Sequence, residues 1–261
     1  MFNKNFIIAP LSVFSIALLI MLSFVRGAIS AEELTGKEIV KRADDLMRGN
    51  SLQGRYAMTV TTPGWTRRLE LDVWEKGREK TFIRILSPAK ESGIGTLRIK
   101  ESMWNYLPNV EKAIKIPPSM MLQPWMGSDF ANDDLVKESS IVDDYDHTIL
   151  AEEDMGPNNS YKIELIPKPE AAVTWGKIIY WVRKDDFVPL REEYYKENGE
   201  LIKALEYSEI KKMNDRSIPT VWKMTPVKKE GCRTVIEVAD VKYNLPIGDP
   251  IFTMENLKNT R

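Results

Sequence analysis

The stretch "RRLELDVWEKG", residues 67–77, decides the fold class of this chain. Its apolar side chains Leu69, Leu71 and Val73 are separated from one another by single acidic residues. A repeat of two residues places successive side chains on opposite faces of a β-strand. The stretch therefore predicts a strand with one buried face, and Gly77 marks its end.

Runs of the same character follow one another along most of the chain. Four of them are "EKTFIRILSP", "GTLRIKES", "MWNYLPN" and "EKAIKIPP", each closed by a turn-forming residue. Asn198-Gly199, between two alternating runs, predicts a hairpin. Because no strand–helix–strand alternation appears, we expect a mainly β (α+β) fold with one large curved antiparallel sheet of about 11–13 strands.

One helix is predicted near the start of the folded part, within "TGKEIVKRADDLMRGN", residues 35–50. Thr35 and Glu38 have the spacing of a capping box, and Gly49 supplies a stop signal. The apolar residues between these signals recur with the period of a helix. This N-terminal helix is expected to cover part of the concave face of the sheet.

The first 31 residues have the layout of a secretory signal peptide. Phe6–Val25 is an uncharged, largely apolar run followed by small residues, so cleavage is expected after Ser30 or Ala31. The run is also long enough for an uncleaved inner-membrane anchor, which is the alternative. We predict a signal peptide over residues 1–31 and one folded domain over residues 32–261.

Charge and cysteine content narrow the class of protein further. Without Lys4 and Arg26, the predicted mature chain carries 35 basic and 38 acidic side chains, a net charge of −3. That balance does not favour a nucleic-acid partner, which calls for a basic excess. Cys232 is the single cysteine, so the chain cannot form an internal disulfide, and its core must stabilise the fold.

The motifs that carry most enzyme chemistry are missing from the sequence. It contains one histidine, His147, and none of the common nucleophile, phosphate-binding, dinucleotide or zinc motifs. Asp143, Asp144 and Asp146 beside it are predicted to form a solvated turn, because adjacent residues of an extended segment face opposite sides. We therefore predict no catalytic residues, no metal and no cofactor.

Methionine is concentrated in "SMMLQPWMGSDFANDD", residues 119–134. A short helix is expected over residues 129–138, with Phe130 and Leu135 facing inward. Flexible thioethers adapt to varied apolar guests, but they also fill gaps in ordinary cores. The segment is therefore either a movable cover over an apolar cavity or a loop that closes a filled core.

If the cover is movable, the predicted ligand-binding residues fall into two groups. The concave face of the sheet is expected to contribute Leu69, Leu71, Val73, Leu97, Ile99, Trp104, Tyr106, Ile114 and Ile116. The cover is expected to contribute Met120, Met121, Leu122, Trp125, Met126, Phe130 and Leu135.

The runs "MWNYLPNVEKAIKIPP" (103–118) and "MGSDFANDDL" (126–135) resemble a signature of the outer-membrane lipoprotein-sorting protein family, the LolA/LolB-like superfamily. In that family an aromatic-x-Tyr-x-Pro strand precedes a basic strand and a Met-Gly-Ser/Thr-Asp-Phe segment that ends in Asp-Leu. The matching positions here are Trp104, Tyr106, Pro108, Met126, Gly127, Ser128, Asp129, Phe130, Asp134 and Leu135. "SPAKESGIGTLRI" (87–99) and "LPIGDPIFTMENL" (245–257) are similar to two further segments of the family pattern.

This resemblance implies an unclosed antiparallel half-barrel with helices lying in its mouth. It implies a periplasmic protein that shields the acyl chains of a lipid or lipoprotein cargo between the inner and outer membranes. An inner-membrane transporter and an outer-membrane acceptor are then the expected partners. The alternative is an accessory or sensor module of a resistance–nodulation–division export system, which acts through protein–protein contacts.

Overall fold

The computed structural model describes Met1 and residues 33–132, 134, 141–155, 158–171 and 175–260. The predicted signal peptide after Met1 therefore lies outside the described residues, and so does Leu135. Of the helix expected over residues 129–138, Asn132 and Asp134 are described as helical, while residues 129–131 are not helical. Within the described part of the chain, no helix has both the length and the apolar character needed to cross a membrane.

The described residues form one antiparallel sheet of thirteen strands. In chain order these are β1 (Ser51–Thr61), β2 (Thr66–Lys76), β3 (Lys80–Ser87), β4 (Gly95–Ile99), β5 (Ser102–Leu107), β6 (Lys112–Lys115), β7 (Tyr145–Met155), β8 (Asn158–Pro167), β9 (Lys177–Arg183), β10 (Pro189–Tyr195), β11 (Leu201–Met213), β12 (Arg216–Pro226) and β13 (Arg233–Tyr243). Their order across the sheet is β6-β5-β4-β3-β2-β1-β13-β12-β11-β10-β9-β8-β7. Since β6 and β7 lie at opposite edges, the sheet is not closed. The predicted antiparallel half-barrel is confirmed.

Two local sequence signals produce the structures that they predict. Helix α1 (Gly36–Arg48) begins with a complete capping box, in which the Glu38 N–H donates to the Thr35 hydroxyl and the Thr35 N–H donates to the Glu38 carboxylate, at 3.2 and 2.8 Å. The turn at Asn198-Gly199 joins β10 to β11, and Gly199 has a φ of 80°. Both features satisfy backbone groups locally, so short-range sequence determines them.

Helix α1 lies against one face of the sheet, which we call the inner face. Ile39, Val40 and Ala43 are completely buried in an apolar cluster with side chains of β8, β9 and β10. Leu46 and Met47, in its last turns, pack against a second cluster built on β1, β2 and β3. Full burial of one large aliphatic side chain stabilises a fold by about 1.5–3 kcal/mol. The amphipathic stripe of α1 therefore closes a large part of the inner face.

The opposite, outer face is covered near β3 and β4 by the C-terminal tail. This tail contains a 3-10 turn at Asp249–Phe252 and helix α2 (Met254–Lys258). Phe252 and Leu257 are buried there against outer-face side chains that include Phe82. The tail thus gives this part of the sheet a second hydrophobic layer.

Arg84 fixes the end of this tail by binding four backbone carbonyls. Its guanidinium donates to Gly93 at 2.7 Å, Asn256 at 2.7 Å, Asn259 at 2.9 Å and Leu257 at 3.1 Å. The carbonyls of Asn256, Leu257 and Asn259 lie at the end of α2, where a helix leaves acceptors exposed, whereas the Gly93 carbonyl lies in the loop between β3 and β4. Burial lowers the pKa of the Arg84 guanidinium.

Replacing Leu257 with alanine is expected to lower the free energy of unfolding by about 2–5 kcal/mol, because the fully buried side chain leaves a cavity under the tail. Leu122→Ala is the matched control, since Leu122 is 60% exposed and the same deletion removes little buried surface. Urea unfolding of both variants and the parent chain measures the difference. Equal stabilities of the two variants would contradict the packing described here.

Candidate functional site

The inner face is closed beside β4 and β5 by residues 116–132, which we call the flap. Trp125 anchors the flap and is only 4% exposed. Its indole N–H donates to the Thr96 hydroxyl at 3.1 Å, and that hydroxyl donates to the side-chain oxygen of Asn105 at 2.8 Å. The Trp125 N–H also donates to the Phe130 carbonyl at 2.7 Å, so the flap holds its own bend.

The flap turns sharply at Met126 and Gly127, where φ is 49° and 69°. A left-handed conformation costs about 1–2 kcal/mol for a residue with a Cβ atom, so Met126 needs support from outside the flap. Arg67 of β2 supplies it by donating to the Met126 carbonyl, and it also forms an ion pair with Glu91 at 3.2 Å. This arginine joins the strained corner of the flap to the sheet.

A third polar contact joins the flap to β13. The Asp129 N–H donates to the Thr234 hydroxyl at 2.9 Å, and that hydroxyl donates back to the Asp129 carboxylate at 2.8 Å. Thr234 is completely buried. The flap is thus held to the sheet at several separate points and has little regular secondary structure of its own.

The predicted cover residues divide between buried and exposed positions. Trp125 is buried in the inner cluster of β1–β3, and Met121 and Met126 pack against that cluster. Phe130 is buried in the other inner cluster, next to α1. Two further members, Met120 and Leu122, are 44% and 60% exposed.

The predicted concave-face residues do not share one face of the sheet. Four belong to or pack against the inner cluster: Leu69, Leu71, Val73 and Ile116. Four others belong to or pack against the outer cluster under the C-terminal tail, so their assignment to the concave face is wrong: Leu97, Ile99, Trp104 and Tyr106. Ile114, in the edge strand β6, is 44% exposed. A ligand-binding role for the inner-face residues stays a prediction.

The inner positions of β4 are occupied by polar residues. This is why its apolar residues, Leu97 and Ile99, do not lie on the concave face as predicted. Thr96 is inner because it pairs with Ile83, whose side chain lies in the inner cluster, and it receives the Trp125 indole. Arg98, two residues along, is only 2% exposed and donates to the Arg78 carbonyl and the Thr81 hydroxyl, both at 3.0 Å. The apolar residues of β4 therefore face outward.

Two small cavities lie between the inner face and its covers. The first, of about 30 Å³, is lined by Phe130, Asp134, Ile141, Tyr145, Trp175, Ile178, Tyr194, Leu205 and Met224. The second, of about 90 Å³, is lined by Asp44, Met47, Arg48, Leu52, Tyr56, Glu75, Ile141, Tyr180, Glu192, Tyr207 and Trp222. Ile141 lines both cavities.

A buried ion pair forms part of the wall of the first cavity. Lys203 of β11 donates to the Asp134 carboxylate, and the two side chains are 5% and 8% exposed. The Lys203 ammonium also lies over the rings of Trp175 and Tyr194, 4.7 and 5.1 Å from their centroids. Aromatic faces attract a cation, so the rings add to the stabilisation of this ammonium.

A buried carboxyl group lies on the strand next to Lys203. Glu192 of β10 is 4% exposed and accepts hydrogen bonds from the hydroxyls of Tyr194 and Tyr207, the latter at 2.7 Å. Burial raises the pKa of Glu192, while the two hydroxyl donors act to lower it. The Glu192 carboxyl group, which lines the second cavity, therefore stays protonated to a higher pH than an exposed glutamate does.

These polar residues were missed by the sequence analysis, although a signal for one of them existed. In "LIKALEY" (201–207), Lys203 stands two residues before Leu205 and four before Tyr207. A period of two puts all three on one face, and the structure places them together on the inner face. The pairing with Asp134 could not be found this way, because 69 residues separate the partners.

The single histidine, His147, follows the acidic turn and lies inside strand β7. The ring lies half-buried in β7, with Nε2 2.9 Å from the Ile141 carbonyl oxygen. Burial lowers the pKa of this imidazole. Across the described ranges, no group of three or more histidine, cysteine, aspartate or glutamate side chains could hold a metal ion.

A protein-family model described as an uncharacterized protein matches residues 77–259, which is more than half of the chain. No curated protein matches the chain in sequence.

Solved structures show the same fold over most of this chain. A DUF1329 family protein from Desulfovibrio piger is 24% identical with a TM-score of 0.79, covering 85% of this chain and 97% of that protein. A LolA superfamily protein from Nitrosomonas europaea is 26% identical with a TM-score of 0.73, covering 86% of this chain and 100% of that protein. A domain described as outer-membrane lipoprotein-sorting, from Vibrio parahaemolyticus, is 22% identical with a TM-score of 0.74, covering 86% and 98%.

Arg67→Gln is expected to loosen the flap, because the variant loses the charged donor that holds the Met126 carbonyl. A hydrogen bond to a charged group is worth about 1.5–3 kcal/mol, so the protected Trp125 amide should exchange roughly tenfold faster or more. Hydrogen–deuterium exchange followed over flap peptides measures this.

The neighbouring Arg68→Gln is the matched control for this measurement. The Arg68 side chain is 56% exposed and pairs with Glu237, away from the flap. Equal flap exchange in the two variants would contradict the proposed contribution of Arg67.

Glu192→Gln is expected to change how stability depends on pH. The folded-state pKa of Glu192 is raised above its ordinary value of 4.5, so the folded chain binds this proton more tightly than the unfolded chain does. The free energy of unfolding of the parent chain therefore falls as the pH rises from 4.5 through the folded-state pKa. The glutamine variant lacks this loss, so its stability relative to the parent should improve from acidic to neutral pH. Urea unfolding across that range tests it, and a pH-independent difference would contradict it.

Proposed function

This chain belongs to the uncharacterized-protein family whose model matches residues 77–259 and has the fold of the LolA lipoprotein-sorting superfamily, and we propose that it binds lipid or lipoprotein acyl chains on its inner face. The proposed location is the periplasm, with residues 1–31 acting as the export signal. The observation that carries this proposal is an apolar inner face covered by separate elements, α1 and the flap, rather than by a second sheet. We propose a non-catalytic carrier that moves cargo between an inner-membrane donor and an outer-membrane acceptor.

The size of the cavities means that binding requires the covers to move. Pockets for small ligands measure about 300–1,000 Å³, whereas the two inner cavities measure about 30 and 90 Å³. Each buried methylene of an acyl chain contributes about 0.8 kcal/mol, so a long chain supplies enough free energy to displace a weakly held cover. The closed structure therefore corresponds to the cargo-free state of the proposed carrier.

The flap is the cover best suited to move. Its buried anchors are Trp125 and Phe130, and its side-chain hydrogen bonds to the sheet are few. These bonds lie at Thr96, Arg67 and Thr234. Helix α1 is held more firmly, because Ile39 and Val40 are fully buried. Two salt bridges also join its C-terminal end to the sheet region, from Asp44 to Arg78 and from Arg48 to Glu75. Flexible Met121 and Met126 could repack against an acyl chain when the flap opens.

A second function is favoured by the exposed apolar residues around the edge strand β6. Ile114, Met120 and Leu122 are each at least 44% exposed, and β6 is the last strand at its end of the sheet that the described residues form. Exposed apolar side chains beside a free edge suit contact with a protein partner. This supports the alternative of an accessory or sensor module of an export system.

The primary test is lipid extraction from the chain purified gently from its native compartment, followed by mass spectrometry. The proposed carrier should contain sub-stoichiometric to stoichiometric lipid, and delipidated protein should take up a fluorescent fatty-acyl probe. Arg67→Gln should speed probe uptake by weakening the flap contact, whereas Arg68→Gln should not.

Two results together would overturn the carrier proposal. These are a lipid-free extract and no uptake of the probe by the parent chain or by Arg67→Gln. Partner capture that depends on Ile114 and Leu122, in a chain that takes up no probe, would support the alternative function.

A further inference from the structure

We propose that Lys203 binds the anionic head group of an amphiphilic ligand, a head of carboxylate size, and that Asp134 occupies the same position while the protein is closed. This inference rests on the proposed function and adds a ligand class to it. An acyl-binding face needs only apolar residues, so a buried cation on that face calls for a separate explanation.

The geometry around Lys203 has the features of an anion site. The ammonium is almost completely buried, and the rings of Trp175 and Tyr194 lie within about 5 Å of it. These rings, together with Leu205 and Met224, line the adjacent cavity of about 30 Å³. An anion that replaced the Asp134 carboxylate, which lines this cavity, would meet the ammonium among aromatic and apolar side chains, where the attraction between opposite charges is stronger than in water.

The Asp134 carboxylate is placed as an internal substitute for such an anion. One carboxylate oxygen binds Lys203 and also accepts the Ala131 N–H at 2.7 Å. The other oxygen is buried and has no hydrogen-bond partner among the described residues, although Asp134 lines the cavity. A carboxylate that is only half satisfied is costly to bury, which favours its exchange for a ligand.

The two partners of this ion pair belong to elements that can separate. Lys203 lies within strand β11 of the sheet, whereas Asp134 lies two residues beyond the end of the flap. If the flap opens and carries Asp134 with it, Lys203 remains on the inner face among apolar and aromatic side chains. A buried cation without a counter-ion is strongly unfavourable, so the open state requires an anion from the ligand.

Other charges near this position do not replace Asp134. Glu192, on the neighbouring strand, is engaged by the hydroxyls of Tyr194 and Tyr207. Burial raises its pKa, which favours the neutral form. The ligand class that fits is therefore a long-chain anion rather than a neutral or cationic lipid.

The experiment compares amphiphiles that share one chain and differ only in the head: dodecanoate, dodecyl phosphate, dodecanol and dodecylammonium. Their affinities for the full parent chain are measured by displacement of a fluorescent acyl probe. Dodecanoate should bind roughly tenfold tighter than dodecanol, because a hydrogen bond to a charged group contributes about that much affinity. Dodecylammonium should bind weakest. Tighter binding of dodecyl phosphate than of dodecanoate would overturn the carboxylate-sized head.

Two substitutions should act in opposite directions on this preference. Lys203→Met keeps the length of the side chain and removes the charge, so it should abolish the preference for dodecanoate over dodecanol. Asp134→Asn removes the internal competitor, so it should tighten dodecanoate binding several-fold. Lys162→Met is the matched control, because Lys162 likewise pairs with a carboxylate and lies 5.3 Å from a Trp181 ring centroid, but on the outer face.

The outcomes separate this inference from the carrier proposal. Equal binding of dodecanoate and dodecanol to the parent chain, or a preference that survives in Lys203→Met, overturns the anion site and leaves the carrier function standing. Failure of every amphiphile to bind overturns both. If Lys203→Met does not fold, the parent-chain series and Asp134→Asn decide the question, since neither depends on that variant.

Discussion

The inner face of an open, curved sheet carries apolar side chains that must be removed from water, and this requirement governs the arrangement of the whole structure. A closed barrel or a second sheet would bury such a face permanently. Here the sheet ends at β6 and β7 without closing, and helix α1 and the flap cover the apolar surface. Coverage by separate elements makes burial reversible in principle, because each element can leave without breaking a strand pair.

The cover on the outer face and the flap on the inner face are attached to the sheet in different ways. On the outer face, Arg84 binds four carbonyls around the C-terminal helix, and Leu257 is fully buried beneath it. On the inner face, the flap is held by isolated polar contacts and contains a residue, Met126, in a left-handed conformation. The proposed function therefore assigns the opening movement to the flap and not to the C-terminal tail.

Buried polar groups distinguish the inner face from an ordinary core. Lys203, Asp134 and Glu192 lie in or beside the two small cavities, although apolar side chains of similar volume would stabilise a purely structural core at least as well. Because these groups lie where the sheet meets its covers, the closed structure contains the Lys203–Asp134 ion pair at that boundary. In the proposed function, this pairing is what would select an anionic head group, while the apolar residues of the inner face would bind the hydrocarbon chain.

The sequence by itself determined the antiparallel strands, the capped helix α1 and the hairpin at Gly199, because each depends on residues close together in the chain. It did not determine which face of each strand is the inner one. An alternating pattern shows that neighbours point in opposite directions, but Leu97 faces outward because β4 pairs with β3 in a register that aligns it with Phe82, under the C-terminal tail. The Lys203–Asp134 pair was likewise decided by tertiary structure, since only the folding of the chain brings β11 against the end of the flap and buries both charges together.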